Sequence, residues 1–349
     1  MKTDILIVGG GLAGLSLAAA LQRAGRDYLL LEARHRFGGR VETAHLEGGA
    51  FDLGPAWFWP QQPRMAALVA QLGLRAFEQY VQGSMNDEDE RGQVIGRPGF
   101  APMAGSLRVE GGLDRLTEGL AAQIPAGRKR TGAAVTAMTQ VDQAITATLL
   151  DGTCVTARKV VLCVPPRVIA HRITFDPALP DDATTAMENL PTWMAGQAKA
   201  VAVYDRPFWR ENGMSGTAMS RFGPMVEIHD ASTAQGGPYA LFGFVGVPPQ
   251  GRLDESPLRA AVLAQLQRLF GPQAAKPMRL VVKDWARDEY AATLLDQAPM
   301  YAHPEYGMPP RLAELWQGAV VFGATEVAPE FGGYLEGALA AAEAAFDKL

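Results

Sequence analysis

Cysteine is almost missing from this chain: Cys154 and Cys163 are the only two. Their spacing fits no zinc site and no disulfide framework. Both are expected as buried, reduced thiols, which suits a cytoplasmic protein. Histidine is scarce as well, five in 349 residues, and no Ser-His-Asp or metal-binding pattern includes one. His303 falls in a proline-rich stretch, 299–310, and reads as a residue that shapes a loop. No apolar run reaches the roughly 18 unbroken residues of a membrane span. An excess of positive charge is lacking too, since the net charge is −5 with lysines and arginines scattered. That excludes the basic face needed for nucleic acid and argues against an anionic membrane. Lys2 before an apolar run imitates a secretory leader, but Asp4 and five glycines between Gly9 and Gly25 suit a strand, a turn and a helix better. Internal repeats and low-complexity tracts are not found.

What the chain does have is apolar content, 48% of its residues. That is enough for a large core, and chains of this length usually divide into two domains. Ile5–Val8 reads as a strand buried on both faces, followed by a helix with Leu17, Leu21 and Ala24 inward, then a strand at Tyr28–Leu31. The unit is β-α-β, with a right-handed crossover. Further along, Met65, Leu68, Val69 and Leu72 mark one helical face, and Leu113, Leu116 and Leu120 another. Asn86–Arg91 reads as a short solvated acidic loop. Ile145–Leu149 and Cys154–Val155 flank Asp151-Gly152 as a hairpin, and Val160–Val164 forms a separate buried strand before Pro165-Pro166. Ala198–Tyr204 is a strand ended by Pro207. Ser256-Pro257 opens a helix with Leu258, Val262, Leu266 and Leu269 inward. Ala319–Phe322 is a last strand, and Leu335, Leu339, Ala342 and Phe346 line a last helix.

Gly9-Gly10-Gly11-Leu12-Ala13-Gly14 fits G-x-G-x-x-G, follows a buried strand and opens a helix. Glu32 ends the next strand, at the usual remove from such a turn. Gly9 permits the tight turn, Gly11 lets backbone approach a pyrophosphate, and Gly14 lets helix and strand pack closely. The helix N-terminus adds positive partial charge, and Glu32 accepts from ribose hydroxyls. These residues leave NAD and FAD undivided.

The next stretch divides them. Glu32-Ala33-Arg34-His35-Arg36-Phe37-Gly38-Gly39-Arg40 resembles the second flavin motif of the flavin-containing amine oxidases. The resemblance extends over nearly the whole chain. Asp52-Leu53-Gly54-Pro55-Ala56-Trp57 is similar to the family's loop beneath the flavin ring. Val109 to Leu113 resembles its Gly-Gly turn. Phe322-Gly323-Ala324-Thr325-Glu326 and Gly332-Gly333-Tyr334-Leu335-Glu336-Gly337-Ala338 resemble its C-terminal flavin motif. The resemblance implies non-covalent FAD, because the linking cysteine of some relatives falls near Leu294. It implies that Arg34 and Arg40 contact the pyrophosphate and adenosine side, that the Val135 backbone meets adenine, and that Glu326 serves the ribityl and pyrophosphate side. The helix near Gly333 is then expected to aim its N-terminus at the flavin pyrimidine.

The same resemblance gives Lys199 the role of holding a water at flavin N5. Small and apolar neighbours fit a partly desolvated lysine of lowered pKa; a solvent-facing lysine on an edge strand is the plainer alternative. Tyr334 and Trp285 are candidate aromatic walls before the flavin, against the alternative of core packing. The family's second wall falls near Leu295 and is missing, unless Trp285, Tyr290 or Tyr301 supplies it. The expected fold is α/β: a Rossmann-like FAD-binding domain (1–70, 105–175 and 278–349) with an inserted α+β substrate-binding domain (71–104 and 176–277). The expected activity is oxidation of a small amine to an imine, with O2 reoxidising the flavin to give H2O2. A related dehydrogenase, desaturase or amino-acid oxidase is the second reading, and a flavin-binding protein without catalysis the third.

Overall fold

The computed structural model of the chain describes residues 1–298, 300 and 302–349. Two large sheets organise it. The first has eight strands, in the order Thr174–Asp176, Val135–Val141, Ala144–Leu149, Cys154–Leu162, Lys2–Val8, Tyr28–Leu31 and Lys129–Arg130, with Val320–Phe322 also paired to Cys154–Leu162. Lys2–Val8 runs parallel to both Cys154–Leu162 and Tyr28–Leu31, as the β-α-β reading requires. The connecting helix, Leu12–Arg23, buries Leu12, Leu15, Leu17 and Leu21. Each buried leucine contributes about 1.5–3 kcal/mol, so this face alone fixes the helix to the sheet. Ala24 lies outside the helix as its C-cap and is exposed. The last helix, Leu335–Phe346, packs beside it.

The hairpin at Asp151-Gly152 forms, but the expected strands 154–155 and 160–164 are one, Cys154–Leu162. Its first half pairs antiparallel with Ala144–Leu149 and its last three residues pair parallel with Val320–Phe322. The polar pair Arg158-Lys159 falls where the neighbour changes, which is why the apolar pattern breaks there. Cys154, expected to be buried, is exposed near the hairpin tip. Cys163 is partly buried, and its surroundings push the thiol up to about 12; the two remain free thiols.

The second sheet has seven strands, in the order Arg279–Asp284, Ala198–Tyr204, Tyr239–Val245, Met225–Asp230, Met214–Ser220, Ser84–Glu88 and Val94–Arg97. Ala198–Tyr204 is buried at every position. Ala198, Ala200, Ala202 and Tyr204 face the cluster built on helix Glu255–Phe270, while Val201 and Val203 face Phe51, Leu53 and Ala56. A strand covered on both faces reads as a continuous apolar run. The segment 86–91 is not a solvated loop. Its first part is strand, Glu88 is fully buried, and its carboxylate accepts from Ser220 Oγ at 2.6 Å and Arg268 Nε at 2.8 Å. Sequence patterning sees the charge but not the arginine, 180 residues away, that allows its burial.

Sheet membership departs from the expected domain boundaries in two places. Arg279–Asp284 belongs to the second sheet although it follows residue 277. Ala183, Met187 and Leu190 pack into the core of the first sheet although they follow residue 175.

Candidate functional site

One large cavity, about 810 Å³, runs between the two sheets. Its walls include Gly9, Gly11, Leu12, Ala13, Glu32, Ala33, Arg34, Gly38, Gly39, Arg40, Gly54, Pro55, Ala56, Trp57, Val135, Lys199, Trp285, Gly333, Tyr334 and Leu335. Of the residues anticipated for the site, only Gly14, Gly323 and Glu326 stand behind the wall.

The glycine turn has the shape its sequence implies. A Cβ on Gly14 would meet Gly9 O at 1.9 Å, so only hydrogen permits this helix–strand contact. Gly9 has φ +106°, in the region glycine alone adopts freely. At Gly11 a Cβ would meet nothing closer than 3.8 Å, so its backbone opens onto the cavity. The Glu32 carboxylate is fixed by the N–H groups of Gly10 (2.7 Å) and Arg34 (2.8 Å). Arg34 is in turn paired with Asp288. Tyr290 lies between the guanidinium groups of Arg34 and Arg172, 5.4 and 5.5 Å from its ring. This ring lines the cavity beside Arg34, on the side of the glycine turn.

Glu326 does not line the cavity. It is completely buried behind Arg40, whose Nη1 stands 2.7 Å from Oε1 but off the hydrogen-bond direction. Both carboxylate oxygens thus lack a directed partner among the described residues. Ala324 and Thr325 reach the wall in its place, and Gly323 packs against Cys163. An open glycine backbone, a held carboxylate beyond it and arginines alongside fit a dinucleotide such as FAD.

At the other end lies Lys199. Its strand is internal, flanked by Tyr239–Val245 and Arg279–Asp284, so the edge-strand alternative fails. The side chain is 2% exposed. Its Nζ donates to Gly54 O at 2.7 Å and Asp52 O at 3.0 Å, and lies 4.3 Å from the centre of the Phe242 ring. Burial pulls this ammonium down to about 7, with Asp52 opposing the fall and Arg108 adding to it. Burial pushes the Asp52 carboxyl up, against hydrogen bonds from Thr43 and the Leu113 N–H. Lys199 therefore clamps the loop 52–57 and is itself a residue of the cavity wall.

Trp285 donates Nε1–H to Leu53 O at 2.9 Å, on that same loop. Tyr334 is stacked on His303, ring centres 5.0 Å apart and 17° between planes, and meets Trp59 edge-on at 6.4 Å. His303, read from sequence as a loop-shaping residue, thus supports an aromatic of the site. Leu294 and Leu295 are 76% and 52% exposed. Neither contributes to the cavity wall, so neither a covalent link nor the second aromatic comes from there. Tyr301 lies outside the described residues. Among the wall residues that sequence reasoning missed are Trp59, Trp193, Phe244 and Glu227. Only tertiary placement marks them: Trp59 and Trp193 lie in loops and Phe244 and Glu227 on strands, and none carries a local sign of the cavity.

Comparisons with known proteins agree with this geometry. The profile of the family described as flavin containing amine oxidoreductase matches residues 84–345, and that of an NAD(P)-binding Rossmann-like domain matches residues 7–72. The chain is 25% identical to a putrescine oxidase of Kocuria rosea, over 84% of this chain and 85% of that one. It is 23% identical to the flavin-containing amine oxidase B of Sus scrofa, over 99% and 85% respectively. Among solved structures, wild-type putrescine oxidase bound to putrescine superimposes with a TM-score of 0.82 at 21% identity, covering 99% of this chain and 98% of that one. Cyclohexylamine oxidase from Brevibacterium oxydans gives 0.79 at 20% identity, with coverage of 99% and 98%. No helix among the described residues is long and apolar enough to cross a membrane, and no metal-binding cluster occurs among them. The chain belongs to the flavin-containing amine oxidoreductase family, and its cofactor is FAD.

Proposed function

We propose that this oxidoreductase converts a small amine to its imine. The observation that carries the reading is Lys199: a desolvated lysine at the wall of an aromatic cavity, tied to the loop that follows Asp52. Bound FAD would supply the two-electron acceptor for the amine's oxidation, and O2 would be the final acceptor, giving H2O2. The role of the chain is to bind, dry and orient. Gly9, Gly11, Leu12, Ala13, Glu32, Ala33, Arg34, Gly38, Gly39, Arg40 and Val135 hold the dinucleotide end. The Gly54–Trp57 loop, Gly333, Tyr334, Leu335 and Trp285 shape the reacting end, and Gly14 and Gly323 keep the packing tight behind them. Glu326 positions Arg40 from behind.

Lys199 Nζ already donates to two carbonyls, and on this reading its third donor position is the one that holds a water beside the flavin. Trp57, Trp59, Phe244 and Tyr334 leave few polar partners for an ammonium, so the walls favour the neutral amine. Removing the proton of an alkylamine costs about 4 kcal/mol at pH 7. Flavin reduction should therefore accelerate as pH rises. Mixing the holoenzyme with an amine panel without oxygen, then admitting oxygen and assaying peroxide, tests the reading. Substrate-dependent bleaching that speeds up with pH, followed by peroxide, is expected. A flavin that no amine bleaches, or whose bleaching is flat in pH, defeats it. The exposed Leu295 keeps one alternative in play, a flavin dehydrogenase acting on a carbon–carbon bond or an amino acid; such an enzyme would bleach with those substrates and not with simple amines.

A further inference from the structure

Two cavities meet at one turn. Beside the large cavity lies a smaller one of about 50 Å³, and the two share Trp193, Met194, Gln197 and Met300 as wall residues. Three of these sit on the segment 192–197, which runs directly into the strand that carries Lys199. Met194 has φ +62°, a left-handed conformation that residues with a Cβ rarely adopt. Among the described non-glycine residues with positive φ, it alone lines either of these cavities. Such outliers persist where the surroundings over-determine them, and they gather at functional sites.

The surroundings pin this turn on both sides. Asp296, 2% exposed, accepts from the Thr192 N–H at 3.1 Å. Arg252, 3% exposed, donates from Nη2 to Gly196 O at 2.6 Å. A Cβ on Gly196 would meet Asp296 O at 2.4 Å, so the turn is pressed against its neighbour. The Gln197 N–H donates to Met194 O at 3.0 Å, and Gln197 O accepts from the Trp285 N–H at 3.0 Å. Arg252 and Asp296 also line the smaller cavity, but their charges are already paired with Asp284 and Arg167. What that cavity offers a guest is therefore the apolar surface of Val245, Val247, Pro248 and Pro249.

We infer that Met194 determines specificity: its side chain stands between the two cavities and limits how long an apolar chain the substrate can carry. The inference rests on the amine-oxidising reading and goes beyond it. With the reacting nitrogen beside the Lys199 end, an alkyl chain extends through the large cavity until it meets Met194. Each methylene buried up to that point raises affinity by about fourfold, and the next one gains nothing. Shortening Met194 joins the small cavity to the large one, and the series continues into it. The pinned backbone is what makes the limit sharp, because a mobile turn would yield to a longer guest.

The FAD-loaded enzyme can be mixed without oxygen with unbranched primary alkylamines of increasing length. Binding is read from the flavin spectrum before bleaching begins, and from heat where no bleaching occurs. Oxidation is read from bleaching, and from peroxide once oxygen is admitted. The same series is run on Met194→Ala and on Met194→Leu, which keeps the bulk. In wild type, affinity should climb with length and then break. In Met194→Ala the affinity ratio of amines just beyond the break to those just below it should rise by about tenfold or more, while Met194→Leu should keep the wild-type ratio within about twofold. A merely structural role would weaken all lengths alike, so an unchanged ratio in Met194→Ala overturns the inference. Wild-type affinity that climbs without a break overturns it too, even if neither variant folds. A break that moves in Met194→Ala while no amine is oxidised upholds this inference and defeats the oxidase reading. Amines oxidised with the same break in wild type and Met194→Ala do the reverse.

Discussion

On the side of the eight-stranded sheet, the cavity wall includes glycine turns, at Gly9–Gly11 and Gly38–Gly39, and the start of helix Leu335–Phe346. On the side of the seven-stranded sheet it includes side chains, with Lys199, Phe244 and Glu227 in one row. The two modes of recognition constrain sequence differently. Backbone can approach a ligand only where Cβ atoms are absent, so the positions must be glycine. A side-chain row requires only that strands pair in register, and any residue can occupy it without breaking the ladder. The first sheet therefore fixes that a dinucleotide is held, and the second is free to set which substrate is accepted.

The contrast predicts where single changes hurt. The largest effect is expected at Gly14: Gly14→Ala places a Cβ 1.9 Å from Gly9 O, an overpacking cost of at least about 1–3 kcal/mol. Flavin content per purified chain should fall sharply, and yellow protein with normal FAD content would break the comparison at its strong end.

Lys199→Met should leave FAD bound and slow reoxidation by O2 on the order of a hundredfold, read by stopped-flow after anaerobic reduction. The same variant carries a stability signature. Lys199 is depressed from 10.5 to about 7 by burial. Below pH 7 both folded and unfolded chains hold the proton, and the folded state bears the full cost of the buried charge. Between pH 7 and 10.5 the unfolded chain binds more protons, so the stability contributed at this site rises with pH. Above 10.5 both forms are neutral and the cost is gone. Lys199→Met should thus be more stable than wild type at pH 6 by a few kcal/mol in order of magnitude, the gap closing towards pH 10.5. Denaturant midpoints across that range measure it, and a gap independent of pH would mean that the buried charge is not its source.

The smallest effect is expected at Leu295. Leu295→Tyr restores an aromatic in sequence, but the position is 52% exposed and off the cavity wall. Amine KM and kcat should stay within about twofold. A marked gain in activity towards monoamines would show that this segment reaches the reacting end after all.

Much of the fold was legible for local reasons. Ile5–Val8 and Tyr28–Leu31 are short continuous apolar runs, Ala198–Tyr204 is apolar apart from Lys199, and all three are buried strands. The cradle glycines were legible because backbone approach leaves no other choice of residue. The errors share a cause. Glu88 looked solvated because its partners, Ser220 and Arg268, are remote in sequence. Cys154–Leu162 was split in two because its charged centre marks a change of neighbour rather than an end. Glu326 lies behind Arg40 because residues on a tight turn face different ways, which spacing does not reveal.

By itself, the sequence determined the dinucleotide cradle, since a glycine turn, the carboxylate after it and an amphipathic helix are fixed by local sterics and periodicity. Only the tertiary structure decided the far end of the cavity. The depressed Lys199, the stacked Tyr334 and His303, and the Glu227 carboxylate held by His229 arise from strand register and burial, which bring together groups that nothing local connects.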